Sequence, residues 1–163
     1  ASRAMAALGA SRGADSGRAI LGLVAYFPPR GDALAAAITA LDSRREELAL
    51  WLKPEALPIV IDALRTESDR VDTMLPLVRS AAALGPEAVP SLARLTRHPD
   101  AEVLAAAAEA LAAFKHVDAL PALEAVIAGA LNDPRFSPKE SRPDPAQLLA
   151  RIEKSVAILR RAL

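Results

Sequence analysis

The chain has 163 residues, 52% of them apolar but only 3% aromatic, and its 20 basic residues balance 20 acidic ones. That length suffices for one continuous core, which must be built from Ala and Leu rather than from rings. The absence of cysteine from the sequence excludes disulfides, thiol nucleophiles and thiolate metal sites, and leaves the redox compartment open with a cytoplasmic setting favoured.

Residues 1–17, rich in Ala, Ser, Gly and Arg, read as a linker carrying one short helix around Ala4 to Leu8. The apolar run from Ala19 to Phe27 spans nine residues, far fewer than the roughly 20 needed to cross a bilayer, so no transmembrane segment is expected. Asp32 to Leu41 and Glu46 to Leu52 read as short helices, the second ended by Pro54. Pro28 precedes Pro58 by 30 residues, so this part is taken as one or two degenerate copies of the repeat that follows.

The repeat is carried by Ala56-Leu57-Pro58, Ala88-Val89-Pro90 and Ala119-Leu120-Pro121, whose prolines lie 32 and 31 residues apart. Intervals of that length are the mark of a solenoid of helix pairs. Two residues beyond each proline stand Val60, Leu92 and Leu123, and five beyond stand Ala63, Leu95 and Val126, all on one helical face. Proline near a helix start is tolerated because the amide it lacks has no intrahelical partner there. Polar breaks follow, with Asp69 and Asp100 as N-cap candidates. A second helix then runs from about Ala101 to Lys115, with Val103, Ala107, Leu111 and Phe114 on one face. Leu92, Leu95, Val103, Leu111, Phe114 and Leu123 are the expected core. High helix propensity and the lack of alternating strand formers make the expected fold all-α.

The run Ala88-Val89-Pro90-Ser91-Leu92-Ala93-Arg94-Leu95, then Asp100 and Val103, then Ala105 to Leu111, resembles the HEAT repeat in the Ala-rich form first described in phycobilisome lyases. The family places Arg after that Val, where this chain has Leu104. The resemblance covers 56–131 well, with 18–131 as the whole solenoid. It implies a right-handed α-solenoid whose second helices line the concave side and whose main use is protein binding. A pigment lyase or chaperone-type role and a nucleic-acid-binding module are the alternatives it leaves open.

Residues 132–145 hold four prolines and six charged residues, and read as an exposed Pro-rich loop. Asp144 then caps a last helix over 146–163, with Leu149, Ile152, Val156, Leu159 and Leu163 as its stripe. That helix either caps the solenoid or docks on another subunit, and the oligomeric state stays open.

Residues 54–132 carry 6 basic and 11 acidic residues, which argues against a phosphate-binding groove. Asp72, Arg79, Glu102 and Glu109 lie on the second helices and are the candidate partner-binding residues. His98 and His116, 18 residues apart, lack the His-Glu pairs of HEAT-repeat di-iron hydroxylases and are assigned to helix ends, next to the last carbonyls. Gly85 before Pro86 reads as a helix stop. Trp51 and Tyr26 are assigned to core or rim packing. With no catalytic, metal or cofactor constellation, the reading is a non-enzymatic scaffold for another protein, with no cofactor and no nucleic acid.

Overall fold

The structure, a computed structural model, describes residues 7, 10, 11, 13–26, 32–66, 70–137 and 143–163. Among them lie nine α-helices and no strand: α1 (Ala14–Tyr26), α2 (Asp32–Ser43), α3 (Arg45–Trp51), α4 (Lys53–Thr66), α5 (Val71–Leu84), α6 (Val89–Arg94), α7 (Ala101–Ala113), α8 (Leu120–Gly129) and α9 (Pro145–Arg160). Short 3-10 turns at 86–88, 95–97, 117–119, 130–132 and 134–136 join several of them. The chain divides into two compact units, residues 1–88 and 89–163.

In the first unit α5 packs against α2, α3 and α4, and α1 packs against α2 and α4. Ile20, Ile38, Leu41, Val60, Met74 and Leu77 are all fully enclosed. The expected linker over 1–17 is corrected at its end: α1 begins at Ala14, and Gly17 is buried. A Cβ on Gly17 would stand 2.7 Å from Leu52 Cδ1, so glycine is what lets α1 approach this closely. The short helix expected around Ala4 to Leu8 lies outside the described residues except for Ala7. Pro54 does not end a helix but falls in the first turn of α4, and Pro58 sits inside α4 rather than at its start. Asp69 lies outside the described residues, and the N-cap position of α5 is Arg70, which makes no side-chain cap.

In the second unit α7 is the central helix. It is apolar almost all round, as a helix covered on several sides must be. α6 packs on one part of it and α9 on another, and α9 also packs on α8. Asp100 caps α7 as expected, accepting from the amides of Glu102 at 2.9 Å and Val103 at 3.3 Å. Pro90 and Pro121 are each the second residue of their helices, also as expected. Leu92, Leu95, Val103, Leu111 and Leu123 are buried. Phe114 is only half-buried because it is the C-cap of α7, where the chain turns away. Its turn is a Schellman closure: the His116 amide donates to the Leu111 carbonyl and the Lys115 amide to that of Ala112, with Lys115 at φ 54°.

Two expectations for the C-terminal part change. The segment 132–145 is not exposed throughout, since Pro134–Phe136 forms a 3-10 turn and Phe136 is buried. Residues 138–142 lie outside the described residues. The stripe of α9 runs through Leu148, Ile152, Val156 and Leu159; Leu149 is half-buried and Leu163 exposed.

Candidate protein-binding site

The first unit holds an open cleft of about 870 Å³ lined by Ala10, Gly13, Ser43, Arg44, Arg45, Glu46, Glu47, Leu50 and Trp51. Its floor is a polar network. Arg44, at the N-cap position of α3, is buried. Its guanidinium donates to Glu47 Oε1 at 2.7 Å and Oε2 at 3.1 Å, to Ser16 Oγ at 2.8 Å and to the Gly13 carbonyl at 2.8 Å. The Gly13 amide in turn donates to Glu47 Oε1 at 3.0 Å. A buried guanidinium is tolerable only with its charge and its donors satisfied, and the fork geometry of arginine does both here.

The outer wall is apolar. Leu50 is 77% and Trp51 62% exposed, which corrects the assignment of Trp51 to packing. Tryptophan is enriched among the residues that anchor interfaces, and here it adjoins a second exposed apolar side chain. The sequence does carry a signal for Leu50. Leu48 and Leu52 stand four apart, both buried, and a helix that turns this pair inward puts Leu50, half-way between, on the opposite face. The side chain of Tyr26 lies outside the described residues.

The four charged residues expected to bind a partner are mostly engaged within their own units. In the first unit Asp72 accepts from Arg70 at 2.9 Å, and this hydrogen bond holds its carboxyl below the usual range. Arg79 donates through Nη2 at 2.6 Å and Nε at 3.0 Å to Asp42, a buried carboxylate of α2, so it braces α5 on α2. In the second unit Glu109 accepts from Arg151 at 2.7 and 2.8 Å and ties α7 to α9. That hydrogen bond raises the Arg151 pKa, with a smaller contribution from the charge of Glu102. Glu102 therefore does not project with Glu109 as a free pair; it adds its field to the Arg151 bridge.

His98 is also placed differently. It is buried, and its Nδ1 accepts from the Asp100 amide at 3.0 Å, so it supports the turn before α7 rather than the carbonyls of the turn behind it. Its own carbonyl accepts from Arg135 at 3.2 Å. The His116 amide takes part in the Schellman closure. Among the described residues no three His, Asp or Glu side chains are grouped to hold a metal, and no helix is long and apolar enough to cross a membrane.

Paired helices opened by Pro and capped by Asp define a class, the all-helical repeat proteins. Residues 75–137 match the family model for HEAT repeats. HEAT repeats generally mediate protein–protein interaction. No curated protein and no solved structure matches the chain.

Proposed function

We propose that the chain is a non-enzymatic scaffold whose helix pairs stack as a right-handed α-solenoid and present a helical surface to another protein. The observation that carries this reading is the exposed Leu50–Trp51 pair beside the cleft. A docked partner would remove both from water, and burying apolar area is favourable. The reading moves the contact away from Asp72, Arg79 and Glu109, since each already has an intramolecular ion pair. Glu102 remains a secondary candidate on α7.

Affinity capture from the native cell with the parent chain and with Trp51→Ala tests it. A set of proteins retained by the parent and lost from the variant, at an unchanged melting temperature, is the expected result. Identical sets would remove the cleft from the function.

A further inference from the structure

Deepening that reading, and resting on it, we propose that the site is regulated by a polar latch: α3 opens and closes apart from the rest of the first unit, and Arg44, tied to the entry of α1, is the positioning residue that keeps it closed. Little else holds α3. It has seven residues, of which only Leu48 is buried, while Leu50 and Trp51 face water. A helix below about 12 residues is marginal by itself in water, because so few bonds offset its nucleation. The closed form of α3 therefore depends on its two ends.

At the far end Leu52 is buried beside Gly17 of α1, where an added Cβ would stand 2.7 Å from Leu52 Cδ1 and 3.2 Å from Leu48 Cδ2. At the near end two arginines hold unequally. Arg45 donates to Asp42 Oδ1 at 3.4 Å and to the Asp42 carbonyl at 3.1 Å, but Oδ2 of that carboxylate is already held by Arg79 at 2.6 and 3.0 Å. Its charge is shared. Arg44 instead reaches across to α1, donating to Ser16 Oγ and the Gly13 carbonyl at 2.8 Å each, while Glu47 accepts from the Gly13 amide at 3.0 Å. This guanidinium is buried, so losing one partner leaves polar groups unpaired away from water, and the bonds break together rather than singly. The turn that offers them is itself special, with Gly13 at φ 125°. Gly13 and Ala10 also line the cleft with Leu50 and Trp51. A protein docked there touches both sides of the latch and favours its closed form.

Amide hydrogen exchange of the full chain in graded urea, below the unfolding transition, tests the latch. The amides of Leu48 and Leu52 donate to the carbonyls of Arg44 and Leu48 at 2.9 Å each. They are expected to show protection about tenfold or more below that of Leu77 and Ala81 in α5, and a weaker dependence on urea, because a local opening exposes less surface than global unfolding. Gly13→Ala acts through the backbone alone, since nothing lies within 4 Å of the added Cβ. It is expected to speed exchange at Leu48 and Leu52 by about five- to a hundredfold, the effect of one strained residue. Ser16→Ala, which removes an acceptor of Arg44 without straining the chain, should act in the same direction.

Acceleration by either variant supports the latch, and exchange in α3 that neither alters would overturn it. So would equal protection and equal urea dependence in α3 and α5. If α3 exchanges with α5 while Trp51→Ala still loses cellular proteins, the latch is wrong and the scaffold reading stands. If α3 opens locally but Trp51→Ala loses nothing, the helix presents no site, and the proposal falls with that reading.

Discussion

Gly85 and Lys115 end their helices in two different ways, and substitutions at them have opposite signs. Gly85 has φ 129° and ψ −177°, a region essentially closed to residues with a Cβ. An added Cβ would also stand 2.7 Å from Glu87 Oε2 and 2.8 Å from Lys53 Nζ, the two ends of an ion pair. Gly85→Ala is expected to cost about 1–3 kcal/mol. Lys115 sits in the left-handed region that glycine enters without a Cβ penalty, so Lys115→Gly is expected to gain roughly 0.5–1 kcal/mol. Urea midpoints of the two variants should bracket that of the parent chain. Two shifts in the same direction would mean that these closures are not what stops α5 and α7. The Gly85 stop was legible because Gly followed by Pro has one common use. The Lys115 closure was not, since residue type does not reveal a positive φ at a lysine.

At the level of elements, α9 separates the contributions of packing and charge. Its Ile152 is fully buried, while Arg151 and Arg160 reach Glu109 and Glu124 through exposed ion pairs. Ile152→Ala is expected to cost about 2–5 kcal/mol, and Arg151→Ala or Arg160→Ala at most about 1 kcal/mol each. Thermal melts in low salt would read both, and arginine losses equal to that of Ile152 would show that charge rather than packing holds the helix. Spacings of three and four were enough to find α9 and to place Ile152, Val156 and Leu159 inside. They could not choose between Leu148 and Leu149, which stand four and three residues before Ile152. Contact with α7 and α8 makes that choice. The same limit explains Trp51: α3 is only seven residues long, too short for periodicity to say which face its aromatic takes.

In residues 89–163 the helix pairs and their caps were readable because Pro, Asp and apolar spacing act locally, whereas in 1–88 Pro54 and Pro58 misplaced the helix boundaries. The division at 88/89 falls within Ala88-Val89-Pro90, a motif that reads as continuous, so it depends on contacts distant in sequence. The ion pairs were equally hidden, and they carry the acid response. Among the described residues the carboxyls of Asp72, Glu87 and Asp133 have lowered pKa values, set by Arg70, Lys53 and Arg135 and in each case chiefly through a hydrogen bond. A group with a lowered folded pKa binds its proton more readily unfolded. Its stabilisation is thus fully present above the ordinary value, 3.8 for Asp and 4.5 for Glu, and is lost as pH falls through the folded value. Asp133 should dominate. Its side chain is 16% exposed, against 60% for Asp72 and 50% for Glu87, so water screens it least. It also accepts the Arg135 amide at 2.9 Å and so holds the turn that buries Phe136. Asp133→Asn is therefore expected to lower the denaturation midpoint at neutral pH and to flatten its decline below about pH 4, more than Asp72→Asn does. Equal effects from the two would show that burial does not set the strength of these pairs, and a midpoint that rises on acidification would reverse the sign of the argument.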